Sequence, residues 1–196
     1  MVDRREIWQL IINQVHLLIS IQVIMINFRN LGTLENTIIV YTSDHSEMLG
    51  ERGAWLKGNF FDPAARIPLL ISYPPAIPAG TVINTPVDLT DVFPTLADLA
   101  GSQPPSDVSG ESLVPLMQGH PEQCNDWAAS GYGDLGMIRQ GSFKLIYHSP
   151  GTEPWLFDLE SDPNELNNLA DDANYAAKVT ALAELFTSAW GTVRPR

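Results

Sequence analysis

Cysteine is almost missing from this chain. Cys124 is the only one in 196 residues, so no disulfide can form within it. The residue is read as an ordinary loop cysteine. Basic residues are scarce as well, 11 Lys and Arg against 23 Asp and Glu, for a formal net charge of −12. Nucleic acid and anionic lipid are therefore not expected as partners, because phosphate binding depends on Lys and Arg contacts. No internal repeat and no coiled-coil heptad is visible. The chain is not short of apolar residues: 44% are hydrophobic and 17% charged, which excludes a disordered chain and suits one domain, or one plus a small appendage.

What is present is unevenly spread. Residues 7–26, "IWQLIINQVHLLISIQVIMI", form a long apolar run after Arg4 and Arg5. Gln9, Asn13, Gln14, His16, Ser20 and Gln22 interrupt it, against a membrane span, and no small-x-small cleavage site follows, against an export signal. A buried helix of a larger fold is expected there. Location stays open, with the single cysteine and the lack of an export signal pointing toward the cytoplasm. Asn36 to Ser43, "NTIIVYTS", and Ile67 to Pro74, "IPLLISYP", are apolar runs without clean alternation. They read as strands covered on both faces, as in a parallel sheet, with Pro68 at the start of the second. "DLTDVFPTLADLAG", Asp88 to Gly101, reads as a helix with Asp91 as its N-cap, Val92, Leu96 and Leu99 as its buried stripe, and Gly101 as its stop.

After a Pro-, Ser- and Gly-rich stretch the pattern changes. "GMIRQGSFKLIYH" and "PWLFDLESDP" read as short antiparallel strands, with a hairpin across "SPGTEP". Residues 172–190 read as a helix with Tyr175, Val179, Leu182, Phe186 and Ala189 or Trp190 on one face. The fold class is α/β followed by a small α+β part with an antiparallel sheet and a terminal helix. The expected division is 1–120 and 121–196. Eight acids fall between Glu153 and Glu184, read as solvated surface.

Asp44 and His45 close the first strand, where sites form in open α/β sheets. A carboxylate and an imidazole can share a divalent cation, but such an ion takes four to six or more ligands, so two do not hold it alone. Capping a turn is the other reading of the pair. Lys57 follows thirteen residues after the aspartate. A cation at that place suits charge developing on a sulfuryl or phosphoryl oxygen, although an isolated lysine is usually only solvated.

The combined stretch "NTIIVYTSDHSEMLGERGAWLKGNFFDPAARIPLL" resembles the sulfatase family of the alkaline-phosphatase-like superfamily. The likeness continues through "VDLTDVFPTLADLAG", "GESLVPLMQG" and "MIRQGSFKLIYH…PWLFDLESDPNELNNLA", covering roughly residues 31–170, and its wording is most similar to choline-sulfatase-like and arylsulfatase-like branches. The resemblance implies a partial alkaline-phosphatase-like sheet with helices, and a metal-dependent sulfuric ester hydrolase. It implies that Asp44 and His45 are metal ligands, for calcium first, with magnesium, manganese or zinc also compatible. It implies that Lys57 is the catalytic lysine on the transferring sulfate and the leaving oxygen. Arg66 is expected to brace the second strand, and Asp158, Asp162 and Glu165 to be structural. The substrate class is a small-molecule or saccharide sulfate ester. Two positions depart from the family pattern: Ser46 stands where glycine is usual, and Arg52 where a second histidine is usual.

The family's nucleophile is a formylglycine made within a C/S-x-P-x-R motif. No such motif occurs in these 196 residues. Cys124 sits in "QCNDWA", and "SYPPA" and "SQPPS" lack the arginine. The chain is thus expected to be the C-terminal portion of a sulfatase with little activity of its own, and a homo-oligomer is one way to cover its apolar strands. A phosphonate or phosphodiester hydrolase of the same superfamily is the alternative enzyme, and a non-catalytic remnant or partner-binding module the alternative outside enzymes.

Overall fold

A computed structural model describes residues 21–147 and 153–193. Most of the apolar N-terminal run, and most of the "SPGTEP" hairpin connection, lie outside the described residues. Residues 21–30 are helical and are designated α1. Within this chain Val23, Ile24 and Ile26 are 50%, 50% and 53% exposed, and residues 7–20 of the expected buried helix lie outside the described residues. Apolar content favours a helix but does not say what covers it. Among the described residues, no helix is long and apolar enough to cross a membrane.

Strands β1 (Ile39–Thr42) and β2 (Leu69–Ser72) form the first sheet. They pair antiparallel with each other, Ile39 opposite Ser72 and Thr42 opposite Leu69. The expectation that the two strands run parallel is corrected. β-branched runs report affinity for a pleated surface, not strand direction. Here the connection folds back on itself and returns β2 beside β1, and their side chains are mostly half-buried, with Leu70 exposed.

That connection carries the residues of interest. It reverses through a run of left-handed positions, Leu49, Gly50, Arg52, Gly53 and Leu56, closed by Met48 N–H to Leu56 O at 3.2 Å and Gly50 N–H to Ala54 O at 3.0 Å. Ser46 is not at positive φ, so serine in place of glycine carries no left-handed strain. The short helix α2 (Asp62–Ala65) follows, with Pro63 in the first turn, where its missing N–H loses no bond.

Helix α3 (Val92–Leu99) starts from a 3-10 turn at Leu89–Asp91, and the cap is Asp88 rather than Asp91. Asp88 Oδ1 accepts from Thr90 N–H at 2.9 Å, and Asp91 Oδ2 accepts from Asp88 N–H at 3.1 Å. The capping box thus lies three positions upstream of the expected place. Pro94 and Thr95 are its buried residues, while Val92, Leu96 and Leu99 are half-buried. Thr95 is buried because its hydroxyl accepts Leu113 N–H at 2.9 Å, tying α3 to α4 (Val114–Met117).

Strands β3 (Trp127–Tyr132), β4 (Leu135–Gln140), β5 (Phe143–Tyr147) and β6 (Trp155–Asp158) form an antiparallel sheet in chain order. Helix α5 (Ala176–Val193) covers one face. Leu182 and Ala189 pack there with Ala129, Ile138, Leu145 and Leu156, joined by the half-buried Tyr175, Val179 and Phe186. Strand alternation sends Lys144, Ile146 and Phe157 to the other face. There Ile146 and Phe157 share a core with Met48, Phe60, Phe61 and Ala64 of the β1–β2 connection. Each buried phenylalanine contributes about 2–3 kcal/mol of transfer free energy. The second sheet is therefore the bed on which the site-bearing connection lies.

Candidate functional site

β1 ends at Thr42, and the chain turns sharply. Ser43 Oγ donates to His45 O at 2.8 Å, closing the turn. His45 Nδ1 lies 2.9 Å from Ser46 O. A carbonyl only accepts, so Nδ1 carries the proton and the Nε2 lone pair faces outward in the neutral ring. Asp44 Oδ2 stands 3.5 Å from that Nε2. Lys57 comes back over the connection and places Nζ in hydrogen-bond contact with the same Nε2.

The structure therefore brings Asp44, His45 and Lys57 together at one strand end. The Asp44 carboxyl is 83% exposed. The little burial it has pulls its pKa up, but the His45 backbone N–H, with the His45 ring and the Lys57 ammonium beside it, outweighs that and holds it below the usual carboxylate value. A carboxylate and an outward imidazole nitrogen at this separation suit two positions in the shell of one hard-to-borderline divalent ion. The carbonyl behind Nδ1 is the orienting contact commonly given to a metal-bound histidine. Among the described residues, no group of three His, Cys, Asp or Glu converges, so the donor set is a partial one.

Arg66 is exposed and does not join the trio. It stands between α2 and β2, lining a cavity of ≈ 420 Å³ together with Ile67, Leu69 and Arg139. A second, open cavity of ≈ 630 Å³ adjoins Ser46, Arg52, Asp62 and Glu165. Asp158 and Asp162 make turns, as expected of structural residues. Asp158 Oδ2 accepts from Ser161 Oγ at 3.0 Å, and Asp162 Oδ2 from Asn167 N–H at 2.8 Å. The Cys124 thiol points at Ser112 O, 3.6 Å away, and burial pushes its pKa up, away from thiolate chemistry.

Sequence reasoning did not find the charged group beneath the site. Lys144 and Glu165 are 1% and 0% exposed. Lys144 Nζ lies 2.6 Å from Asp62 Oδ1 and 2.7 Å from Glu165 Oε1. Glu165 Oε2 accepts the Asp62 N–H at 2.7 Å. Arg52 donates through Nη1 to the Glu165 carbonyl, and its guanidinium lies 4.0 Å from the Phe61 ring centroid. The one available signal was the lysine inside "FKLIY", on the same strand face as Ile146.

The family described as "N-sulphoglucosamine sulphohydrolase, C-terminal" matches residues 50–189. The chain is 41% identical over 169 residues to the choline-sulfatase of Rhizobium meliloti (strain 1021), covering 80% of the chain and 32% of that relative. It thus spans about a third of the length of the curated relatives it matches. Among solved structures, it superposes with a TM-score of 0.80 and 34% identity on a protein in complex with its substrate D-glucosamine-2-N,6-O-disulfate, covering 88% of the chain and 37% of that one. It superposes with a TM-score of 0.74 and 34% identity on the phosphonate monoester hydrolase of Agrobacterium radiobacter, covering 87% and 38%. Their fold is alkaline-phosphatase-like, as expected for this chain.

Proposed function

The chain belongs to the sulfatase family, through the region that the N-sulphoglucosamine sulphohydrolase C-terminal family defines, and on that premise we propose that it carries one side of the active site of a sulfuric ester hydrolase. In this reading Asp44 and His45 are two ligands of a divalent cation, calcium first, with magnesium, manganese or zinc as alternatives. Lys57 faces the sulfate. The formylglycine nucleophile of a C/S-x-P-x-R segment is not among these 196 residues, so turnover requires that it be supplied. The supporting observation is the meeting of Asp44, His45 and Lys57 at the end of β1.

The residues have separable tasks. The Ser46 carbonyl fixes the imidazole so that Nε2 faces the shared space. Asp44 stays ionised and presents a carboxylate. A bound cation supplies charge neutralisation to sulfate oxygens. The single Nε2 lone pair serves either Lys57 or a cation, so a cation bound there would release the Lys57 ammonium for an ester oxygen that gains charge as the S–O bond breaks. The substrate class is a sulfate ester of a small molecule or a saccharide, in line with the choline-sulfatase and glucosamine-disulfate relatives.

Manganese titration of the 196-residue chain, followed by electron paramagnetic resonance, tests the cradle. Saturable binding that is lost in Asp44→Asn and His45→Ala supports it, and unchanged binding in both variants removes it. The same chain should not turn over an aryl sulfate. Turnover at the rate of a complete sulfatase would refute the assignment of the nucleophile to a C/S-x-P-x-R segment. The likeness to a phosphonate monoester hydrolase supports a second reading, because sulfate and phosphonate esters are both tetrahedral oxyanions. Comparing matched sulfate and phosphonate esters on a protein carrying both the nucleophile and this chain separates the two. A chain that binds neither cation nor ester is the non-catalytic module.

A further inference from the structure

The Lys57 turn is held at both feet by one residue. Arg52 and Asp62 flank Lys57 in the chain, and both bond to Glu165. Arg52 reaches the Glu165 carbonyl through Nη1, and the Asp62 N–H donates to Glu165 Oε2 at 2.7 Å. The other oxygen, Oε1, is 2.7 Å from Lys144 Nζ, which also holds Asp62 Oδ1 at 2.6 Å. We propose that Glu165, with Lys144 beneath it, is a positioning clasp that sets Lys57 against His45.

The construction is specific to this task in three ways. Glu165 has φ 56, a left-handed conformation unfavourable for a side chain with a Cβ, which persists only where surrounding contacts over-determine it. Its carboxylate is fully withdrawn from water, where an ion pair adds little net stability but losing one partner leaves a buried charge unmatched. Arg52 is likewise left-handed, at φ 55, and its guanidinium lies over Phe61, whose ring is stacked on Trp155. The turn therefore rests on β5 and β6 at points fixed by charge as well as by apolar packing. Between the feet, residues 55–58 are exposed, with Leu56 70% accessible, while Phe60 and Phe61 are buried. The exposed tip that carries Lys57 lies between the Arg52 foot and the buried Phe60 and Phe61, which anchor the other foot in the core with Ile146 and Phe157. A β5 lysine and a glutamate from the loop after β6 thereby act on the strand-end site through the turn, without touching it.

The assignment of a task to Lys57 rests on the function proposed above, but the position of Lys57 does not, so the test uses no turnover. The 15N shift of His45 Nε2 in the full chain, at one fixed pH above the histidine range, reports the Lys57 contact. Loss of His45→Ala assigns the signal. Amide hydrogen exchange over residues 46–66 reports the turn. Glu165→Gln is expected to move the Nε2 signal toward that of Lys57→Met, and to raise exchange over 46–66 at least tenfold. Arg52→Lys, at an exposed position, should do the same to a smaller degree and covers the case in which Glu165→Gln does not fold. Leu182→Ala weakens the opposite face of the same sheet and should leave the Nε2 signal unchanged. If Arg52→Lys keeps the wild-type Nε2 signal and exchange, or if Leu182→Ala shifts that signal as far, the clasp is overturned, whatever the fate of the sulfatase reading.

Discussion

Lys144 Nζ lies 2.7 Å from Glu165 Oε1, and neither side chain reaches water. A pair of this kind stabilises little compared with an apolar pair of equal volume, but removing one partner leaves a buried charge unmatched. Lys144→Met strips the cation from two carboxylates, those of Asp62 and Glu165. It should cost about 3–5 kcal/mol, read from urea unfolding midpoints. Lys144→Met combined with Glu165→Leu should recover part of that loss. A Lys144→Met variant as stable as the parent would show that the pair has no structural weight.

Gly110 supports the fold by having no side chain. A Cβ there would stand 2.1 Å from the Thr90 carbonyl oxygen and 2.6 Å from Asp91 N. Both are backbone atoms at the entrance to α3 and cannot swing aside. Relief requires moving the 110–113 turn, which strains Glu111 N–H to Asp91 Oδ1 at 3.0 Å and Leu113 N–H to Thr95 Oγ1 at 2.9 Å. Gly110→Ala should cost about 3 kcal/mol, at the upper end for overpacking. Gly53→Ala, in open space at φ +71, should cost only about 1–2 kcal/mol of left-handed strain. Thermal melts of the two variants rank them.

Asp91 should make the chain lose stability as pH rises from weak acid toward neutral. Burial pushes its carboxyl up to about 6 from an ordinary 3.8, against the opposing N–H bonds from Glu111 and Asp88 and with the nearby Asp88 and Glu111 charges. The folded chain therefore binds a proton between 3.8 and about 6 that the unfolded chain has released. With more protons bound in the native state, unfolding free energy declines as pH rises through that window. The contribution is complete below 3.8 and gone above about 6. Urea midpoints at about pH 4 and about pH 7 should fall further in the parent than in Asp91→Asn. An equal fall in both would assign the dependence to other acids.

How far the sequence revealed this chain depended on where the determining contact lay. Helix α5 was readable because the spacing of Val179, Leu182 and Phe186 is intrinsic to the helix that carries them, although Tyr175 closes a 3-10 turn before it. Antiparallel β4, β5 and β6 were readable because short runs and turn residues are local. Strand β3 was not, because "WAASGY" carries little alternation and is defined by its pairing with β4. The direction of β1 against β2 depends on a connection whose reversals involve Leu49, Arg52 and Leu56 at positive φ. Those residue types do not advertise a left-handed backbone. Asp44, His45 and Lys57 stood out through family wording, and their meeting is geometric. Glu165 looked like one acid in an acidic turn, because burial of a carboxylate is set by Lys144 and Asp62, distant in sequence.

Gly136 and Phe186 offer a test of how α5 sits on its sheet. A Cβ on Gly136 would stand 2.3 Å from the Phe186 ring tip. Phe186 also packs against Tyr147, ring centroids 5.4 Å apart, so the ring has little freedom to yield. Gly136→Ala should cost about 1–3 kcal/mol in the parent, and clearly less in a Phe186→Leu background, where the ring tip is gone. A double-mutant cycle with no coupling between the two positions would place the ring elsewhere.

Lys57 permits a prediction of opposite signs. Its ammonium contacts the same His45 Nε2 that is proposed to bind the cation. A ligand for the ion would weaken binding when removed, whereas a neighbouring positive charge opposes binding and its removal should help. At about 4 Å in water, a unit charge pair interacts by about 1 kcal/mol, and a divalent ion about doubles that before salt screening. Lys57→Met should therefore tighten manganese binding by several-fold up to about tenfold at low ionic strength, with the gain shrinking as salt is added. In a protein that also carries the nucleophile, the same substitution should abolish sulfate ester turnover, because the developing charge loses its partner. Asp44→Asn should instead lose the cation and turnover together. If Lys57→Met weakened manganese binding as Asp44→Asn does, Lys57 would serve the metal cradle, and its assignment to the sulfate would fall.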